Sequence, residues 1–307
     1  MTGLRPEYLG HAESATLTIG SVDDAWQLCL EIAARRRRGI APEAGTHLQS
    51  ARLAIQAGAT CDTGRCWRLN GEWTDEALQL FELYAPLLAL RPGERHACAH
   101  LGQSIDGRIA TAGGHSFGLS GEPNLMHLHR LRALSDAIVI GSGTALADNP
   151  QLTTRLVNGP NPVRVVLDGS GRIPPGLRLC SDGEAPTLVL GPRGGAATHA
   201  QAQQVGLARR LTVDSESRLL RPSAILDALE GEGLAVVFIE GGGTTVSRFL
   251  ESDCLERLQI TVTPVLLGSG RPALTLPPIE RISEGIRPPV RRFALGEDLL
   301  WDFALRG

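Results

Sequence analysis

The stretch around residue 240 constrains the fold of this 307-residue chain more than any other feature. An apolar, largely β-branched run, Val236–Ile239, stops at Glu240 and three consecutive glycines, and a helix is predicted over residues 244–251. Glycines at such a corner let a bulky anion approach the backbone, and the N–H groups that open the next helix can hold a phosphate. A carboxylate at the end of the strand, beside this anion site, is well placed to bind polar groups of a second ligand. The stretch therefore predicts a nucleotide cofactor beside a substrate.

From residue 96 onward, predicted strands alternate with predicted helices. The strands are expected over residues 97–102, 137–140, 163–167, 187–190, 235–239 and 258–262, and the helices over 123–134, 222–229 and 244–250. Continuous apolar runs are typical of strands covered on both faces, and helical connections favour a parallel arrangement. The chain is therefore predicted to form an α/β fold with a mostly parallel sheet flanked by helices.

Residues 1–92 are predicted to form a small, mainly helical N-terminal region. Helices are expected over residues 22–38, around 49–56 and over 74–83, the last with Thr74 and Asp75 as its cap. The basic run 35–38 is interpreted as a solvated helix end. Pro86, Pro92 and Gly93 indicate a break, so a second domain is predicted over residues 93–307. Three roles remain open for this N-terminal region: covering one end of the second domain, forming a dimer contact, or binding a partner.

Composition and short motifs exclude several functions. A net charge of −3 argues against a nucleic-acid binder. No apolar stretch has membrane-spanning length and no signal peptide is recognisable, so a cytoplasmic protein with six reduced cysteines is expected. His11-Ala12-Glu13 lacks the cysteine spacing of a zinc deaminase, and His127 and His129 cannot share a helix face. No metal site is predicted.

Polar and glycine-rich segments follow several predicted strands where each one ends. These segments are 103–108, 141–144 with 147–150, 168–170 and 240–243. Ligands of parallel sheets bind outside the carboxyl ends of strands, so we expect these loops to converge on one site. Asp106 and Asp148 each precede a turn residue, and a structural turn role is the alternative to a functional one for both. Glu240, which ends a buried strand beside the glycines, is expected to contact a ligand.

The same loops carry five ordered motifs. They are Leu101-Gly102-Gln103-Ser104-Ile105-Asp106-Gly107-Arg108, Gly143-Thr144 with residues 147–153 and Arg155, residues 162–168, Glu240-Gly241-Gly242, and residues 264–268. Together they resemble the pyrimidine reductases of riboflavin biosynthesis, over roughly residues 96–305. This reductase often follows a deaminase in bifunctional proteins. The resemblance implies a dihydrofolate-reductase-like fold, commonly a homodimer, that uses NADPH to reduce the ribosyl group of 5-amino-6-(5-phosphoribosylamino)uracil to ribityl.

The resemblance also implies the roles of individual residues. It assigns cofactor contacts to Gly102, Thr144, Asp148, Ser170, Gly242, Gly243 and Thr244, and substrate contacts to Ser116, Arg132, Leu152, Arg155 and Glu240. Arg132 and Arg155 suit a sugar phosphate because a guanidinium is a forked donor. Glu240 and His100 are the predicted catalytic residues. Little acid–base chemistry is expected, because the cofactor supplies the hydride and the protein chiefly positions it.

Two departures from the family pattern leave alternatives open. His100 stands where many members have lysine, and Gly118 lies near a position where many have tryptophan. They allow a reductase of the same fold that acts on another pyrimidine or a pteridine, or a non-catalytic nucleotide-binding module. Ser170 and Arg172 suit the 2′-phosphate of NADPH, whereas Asp168 suits the free ribose hydroxyl of NADH. The resemblance favours NADPH.

Overall fold

The fold was analysed in a computed structural model, which describes residues 19–40, 55–58, 66–91, 93–193, 204–215 and 219–306. The helices are α1 (Val22–Arg37), α2 (Asp75–Leu88), α3 (Glu122–Leu134), α4 (Ser142–Asp148), α5 (Arg178–Ser181), α6 (Pro222–Gly231) and α7 (Gly243–Glu251). The strands are β1 (Ile55–Gly58), β2 (Cys66–Leu69), β3 (His96–Ser104), β4 (Arg108–Ala110), β5 (Ala137–Gly141), β6 (Val163–Leu167), β7 (Thr187–Pro192), β8 (Gln204–Val205), β9 (Ala208–Val213), β10 (Val236–Ile239), β11 (Arg257–Thr263), β12 (Arg271–Pro272), β13 (Val290–Leu295) and β14 (Asp298–Ala304).

A ten-stranded sheet forms the centre, in the order β13-β14-β11-β3-β10-β5-β6-β7-β9-β8. The seven strands from β11 to β9 run parallel, while β13, β14 and β8 pair antiparallel at the two edges. The α/β fold with a mostly parallel sheet is thus confirmed, and all six predicted strands are present. Strands β8, β9, β13 and β14 of this sheet were not predicted.

Both faces of the sheet are covered, which explains the continuous apolar runs. Along β10, Val236 and Phe238 belong to the core beneath α1, α2 and α3, whereas Val237 and Ile239 belong to the core beneath α6 and α7. All four side chains are buried because successive residues of a strand point to opposite faces. The carboxyl end of β10 therefore emerges between two packed layers, and Glu240 is the first residue beyond them.

The prediction of a structural break at Pro86 is wrong, because Pro86 lies inside helix α2. The helix begins after Thr74, whose Oγ1 accepts a hydrogen bond from Ala77 N (3.2 Å), and it continues through Pro86 to Leu88. A proline inside a helix leaves the carbonyl four residues earlier without its donor. Here that carbonyl, on Glu82, accepts a hydrogen bond from Arg291 Nη1 (2.9 Å). A side chain from the sheet edge thus replaces the missing backbone bond.

The end of α1 is also more buried than the sequence predicted. Arg36 is 8% exposed, and its guanidinium donates to the carbonyls of Leu87 and Leu134 (both 3.1 Å) and to Asp136 (2.8 Å). The predicted solvated helix end is therefore wrong for Arg36, which ties α1 to the ends of α2 and α3. Helices α1 and α2 share one hydrophobic core with the sheet. The domain boundary at residue 92 stays a prediction.

The remaining N-terminal predictions meet the structure only in part. The helix expected around residues 49–56 is wrong at residues 55 and 56. These two residues lie in strand β1, which pairs antiparallel with β2. Its earlier residues, together with His11-Ala12-Glu13 and Cys61, lie outside the described ranges. Within those ranges, no helix is both long enough and apolar enough to cross a membrane.

Candidate active site

Two adjoining cavities open at the carboxyl edge of the parallel strands. The first cavity has a volume of about 440 Å³ and is lined by residues that include His100, Ser116, Gly118 and Glu240. The second cavity, of about 660 Å³, is lined by residues that include Ser170, Arg172 and Arg248. Five residues line both cavities and form the border between them: Ile109, Gly143, Thr144, Gly242 and Arg271. The segments 141–144, 147–148, 169–170 and 240–243 therefore meet as the sequence predicted, whereas residues 103–108 line neither cavity.

The residues expected to contact a cofactor are distributed along both cavities. Gly102 and Asp148 line the first cavity, Ser170, Gly243 and Thr244 line the second, and Thr144 and Gly242 lie at the border. An extended ligand that occupies both cavities would therefore pass all seven. Their assignment to a cofactor stays a prediction.

The glycine turn at the border is closely packed. No side chain caps helix α7, whose N-cap is Gly242, and Gly242 N donates to Thr144 Oγ1 (3.3 Å). A Cβ on Gly243 would clash with the backbone carbonyl oxygens of Pro272 and Ala273, so that position requires glycine. The first turn of α7 therefore presents uncapped N–H groups and a positive dipole end at the edge of the second cavity, which suits an anion.

Glu240 forms a two-point ion pair with Arg132. Arg132 Nε lies 2.8 Å from Glu240 Oε2, and Nη2 lies 2.5 Å from Oε1. Arg132 Nη1 donates to the carbonyl of Thr153 (3.0 Å). The guanidinium is thus largely occupied by protein acceptors, and Arg132 lines neither cavity. The structure brings these two predicted site residues together, with Glu240 facing the first cavity and Arg132 behind it.

Arg155 and Leu152 lie beside this pair, outside the residues that line the two cavities. Arg155 Nη1 donates to Thr153 Oγ1 (2.7 Å), and Arg155 N donates to His129 Nδ1 (2.8 Å). Partial burial lowers the pKa of Arg155, and so does the charge of Arg132, while Glu240 opposes the shift. Burial and the two arginines lower the pKa of His129 to about 4, which keeps Nδ1 free to accept. Leu152 is buried, with a positive φ of 54°.

His100 lies at the floor of the first cavity and is only 4% exposed. Its Nε2 lies 3.2 Å from Asn124 Oδ1 and 3.0 Å from Thr261 Oγ1, and Thr261 Oγ1 donates to Asn124 Oδ1 (2.8 Å). Burial, and next the neighbouring His127, hold the pKa of His100 well below its ordinary value. The imidazole is therefore neutral near pH 7, and its contacts are with Asn124 and Thr261.

Comparison with known proteins decides the family. The family model of the RibD C-terminal domain matches residues 95–287, which is more than half of the chain. The chain belongs to the RibD C-terminal domain family.

Two relatives and one solved structure show how far this membership extends. The chain is 36% identical over 213 residues to the 2,5-diamino-6-ribosylamino-4(3H)-pyrimidinone 5′-phosphate reductase of Methanothermobacter thermautotrophicus, covering 66% of this chain and 95% of the relative. It is 31% identical over 253 residues to the riboflavin biosynthesis protein RibD of Mycobacterium tuberculosis, covering 81% of this chain and 61% of the relative. Acinetobacter baumannii RibD superposes with a TM-score of 0.58 at 25% identity, covering 76% of this chain and 65% of that chain. The chain thus spans less than two thirds of these RibD proteins but nearly all of the archaeal reductase.

Within this RibD-family site, the sequence did not point to Asn124. This residue is 2% exposed and lines the first cavity. His100 and Thr261 both contact its Oδ1, so its amide nitrogen is turned the other way, and a Cβ on Gly102 would lie 3.7 Å from Asn124 Nδ2. An asparagine near the start of a predicted helix indicates a cap, so only the folded arrangement identifies it as a cavity donor.

The three aspartates of the RibD-family motifs have separate environments. Asp106 accepts hydrogen bonds from Ser104 Oγ and from the backbone N–H groups of Leu267 and Gly268, and these bonds lower its pKa to about 2. The structural turn role proposed for Asp106 is therefore confirmed. Asp148 ends α4 and lines the first cavity. Asp168 is fully buried, where it accepts from the N–H groups of Arg172 (2.8 Å) and Ile173 (3.1 Å).

The loop beside the first cavity contains the other departure from the family pattern. Ser116 and Gly118 both line this cavity, and Gly118 has a φ of +76°, a conformation that favours glycine. Phe117 between them is 91% exposed. In the described ranges, no cluster of three or more His, Cys, Asp or Glu side chains is placed to hold a metal ion.

Proposed function

We propose that this chain is an NADPH-dependent reductase of riboflavin biosynthesis, which converts the ribosyl group of 5-amino-6-(5-phosphoribosylamino)uracil to ribityl. The observation that carries the proposal is the pair of adjoining cavities at the carboxyl edge, with an anion-binding glycine turn at their border and Glu240 in the wall of the first. One cavity then serves the substrate and the nicotinamide, and the other the remainder of the dinucleotide. Membership of the RibD C-terminal domain family supports this function.

The residues around the second cavity fit a dinucleotide phosphate. Three arginines, Arg172, Arg248 and Arg271, line this cavity, and none of the described residues that line it is acidic. Arg172 Nε donates to Ser170 Oγ (2.7 Å), which places a cation and a hydroxyl side by side. Asp168, the residue that would favour a free ribose hydroxyl, is occupied by the turn that follows it. These contacts support NADPH rather than NADH.

The residues around the first cavity fit a sugar substrate. Glu240 is held by Arg132, so its carboxylate is oriented before any ligand enters, and it accepts hydrogen bonds from sugar hydroxyls. Arg155 is the exposed cation of this cluster and is assigned to the substrate phosphate. Asn124 contributes a fixed amide donor from the cavity floor. NADPH, when bound, supplies the hydride that reduces C1′ of the opened ribosylamine, and the chain holds that carbon in place.

A second candidate substrate differs only in the pyrimidine ring. The archaeal relative, which the chain matches over 95% of its length, is named for 2,5-diamino-6-ribosylamino-4(3H)-pyrimidinone 5′-phosphate. This compound carries an amino group where the uracil compound carries a carbonyl oxygen on the ring, and both present the same phosphorylated ribosyl group. The sugar contacts described above suit either compound.

The same proposal includes the setting of the enzyme. We assign it to the cytoplasm, which the free, buried thiols of Cys29, Cys98, Cys180 and Cys254 support. We also assign it a homodimer. Three exposed isoleucines, Ile279, Ile282 and Ile286, precede edge strand β13 and support an interface there.

The test is turnover of NADPH by the purified chain, supplied in parallel with the uracil and the diamino-pyrimidinone phosphates. We expect consumption of NADPH with at least one of them, at a rate that falls sharply in the Glu240→Gln variant. Binding of NADPH without turnover of either compound would overturn the proposed reaction. Turnover of a pteridine or of a dephosphorylated pyrimidine instead would move the activity to another substrate of the same fold.

A further inference from the structure

One residue at the border of the two cavities has no role in the assignments above. Of the five residues that line both cavities, Arg271 is the charged one. A dinucleotide that places its nicotinamide in the first cavity and its adenosine in the second must pass its pyrophosphate across this border. The position of Arg271 therefore coincides with the negatively charged pyrophosphate of the expected cofactor.

Arg271 is carried by a two-stranded ribbon that packs on the glycine turn. Strand β12 pairs with β4, with Arg271 opposite Ala110. The ribbon is fixed at two close approaches. A Cβ on Gly270 would clash with the carbonyl oxygen of Ala110, and a Cβ on Gly243 would clash with those of Pro272 and Ala273. The backbone next to Arg271 thus contacts the first residue of α7, and the ribbon cannot shift without disturbing the turn.

The guanidinium of Arg271 lies close to the loop that contains Gly114, beside the first cavity. It lies against Gly114, where a Cβ would be 2.7 Å from Nη2 and 3.0 Å from Cζ. Among the residues that the structure describes, it has no hydrogen-bond or ion-pair partner. The other two arginines of the second cavity do have hydrogen-bond acceptors. Arg172 donates to Ser170 Oγ (2.7 Å), and Arg248 donates to the carbonyl of Leu220 (2.7 Å).

We propose that Arg271 binds the pyrophosphate of NADPH together with the glycine turn that opens α7. The inference rests on the proposed function, since it requires a dinucleotide that spans both cavities. A guanidinium with free donors forms strong, charge-assisted hydrogen bonds to phosphate oxygens. The uncapped start of α7 adds N–H donors and a positive dipole end on the same border. Binding of NADPH would then join the ribbon to the turn through the anion.

The test measures NADPH affinity directly, by calorimetry in the absence of any pyrimidine. Arg271→Met keeps the length of the side chain and removes its charge, and Arg271→Lys keeps a charge without the forked donor. We expect Arg271→Met to weaken NADPH binding by about 10- to 100-fold, as loss of a charge-assisted hydrogen bond implies. Arg271→Lys should fall between, and the affinity of Arg271→Met should depend less on salt than that of the wild-type chain.

Two further variants separate this role from a general loss of structure. Arg292→Met removes an arginine that packs over Trp301 at the far edge of the sheet, and NADPH affinity should not change. Gly114→Ala places a methyl group against the guanidinium at a residue with a φ of +92°, so it should weaken NADPH binding while Arg271 remains.

Distinct results overturn the inference and the proposed function. If Arg271→Met and the wild-type chain bind NADPH equally, the inference is wrong and the proposed function stands. A raised KM for the pyrimidine phosphate with unchanged NADPH affinity would also overturn the inference, because it would move Arg271 to the substrate. If the wild-type chain does not bind NADPH at all, the inference and the proposed cofactor both fail.

Discussion

Arg132 and Glu240 are 108 residues apart in the chain and form a two-point ion pair at the wall of the first cavity, with N–O distances of 2.8 and 2.5 Å. Arg132 comes from α3 and Glu240 from the end of β10, so the pair connects a helix that covers the sheet to the loop that opens the site. The carboxylate that faces the cavity therefore depends on a side chain that does not line it. We infer that the two residues act as one unit.

This unit predicts strongly non-additive kinetics. Glu240→Gln and Arg132→Met should each lower kcat/KM by about 10- to 100-fold, because each removes one side of a charge-assisted contact. The kcat/KM of the double variant should be no lower than that of the less active single variant, because the orientation of Glu240 is already lost in each single variant. Steady-state kinetics of the four proteins provide the test. Losses that simply multiply would show that the two residues act independently.

His100 is predicted to act through Asn124 and without changing its charge. His100→Gln can still donate to Asn124 Oδ1, so kcat should stay within about 3-fold, whereas His100→Phe and Asn124→Asp should each lose about 10-fold. Because its pKa is held well below 6.5, His100 should contribute no inflection between pH 6 and pH 8. The measurement is the pH profile of kcat/KM for the wild-type and Gln proteins. Loss of an alkaline limb in His100→Gln would instead make the histidine a proton donor.

Cofactor preference should depend on Arg172. Arg172→Ala leaves Ser170 alone at the site assigned to the 2′-phosphate, so the preference for NADPH over NADH should fall by about 10- to 100-fold. Separate titrations with NADPH and NADH measure the ratio. Arg209→Ala is the matched control, because Arg209 pairs with Glu232 and lines neither cavity. An unchanged ratio in Arg172→Ala would place the 2′-phosphate elsewhere.

The packing of the glycine turn predicts a sharp contrast between two alanine substitutions. Gly243→Ala places a methyl group against two backbone carbonyl oxygens, so the turn must shift and NADPH affinity should fall by at least about 10-fold. Gly231→Ala, at the end of α6, meets no atom within 4 Å and should leave NADPH affinity unchanged. Calorimetry and thermal unfolding of both variants distinguish a local defect from unfolding. Equal affinity in Gly243→Ala would refute the close packing.

Buried histidines should make the protein sensitive to acid. Burial lowers the pKa of His127 to about 4, and burial with the charges of Arg257 and Arg36 lowers that of His96 to about 3. Both values lie below the 6.5 expected for an unfolded chain, so protonation favours unfolding. The stability that the neutral rings contribute is present above pH 6.5 and is lost as the pH falls towards 4, by up to about 1.4 kcal/mol per pH unit for each histidine.

Urea unfolding at several pH values between 7.5 and 4.5 measures this loss. His127→Gln should reduce the slope of unfolding free energy against pH by about one proton, even if it lowers stability overall. Gly231→Ala, which changes no titratable group and meets no atom within 4 Å, provides the control and should leave the slope unchanged. An unchanged slope in His127→Gln would show that this ring is not the group that titrates.

The predictable parts of the fold depend on local patterns. Apolar runs such as Val236–Ile239 predict strands because both faces of the sheet are covered, and a run needs no distant information to be recognised. Strand β9 was missed because two arginines interrupt its pattern, and the β13–β14 hairpin because its residues alternate between core and solvent at a sheet edge. Pro86 was misjudged because the bond from Arg291 that compensates for it comes from far along the chain.

The residues of the site also divide into those that local patterns predict and those that only the fold brings together. The glycine turn, Thr144 and Ser170 could be placed in one site because the carboxyl ends of parallel strands lie at one edge. The pairing of Arg132 with Glu240, the donor on Asn124 and the border position of Arg271 each depend on contacts between separate elements. No spacing within the sequence contains that information, and only the folded arrangement shows it.

The most direct test of the central claim follows the hydrogen itself. The chain is supplied with NADPH that carries deuterium at the transferable position of the nicotinamide, together with the phosphoribosylaminopyrimidine, and the product is analysed by mass spectrometry and NMR. We predict one deuterium at C1′ of a ribityl product. A product without deuterium, or with deuterium on the pyrimidine ring, would contradict the assignment of this chain as a reductase of the ribosyl group.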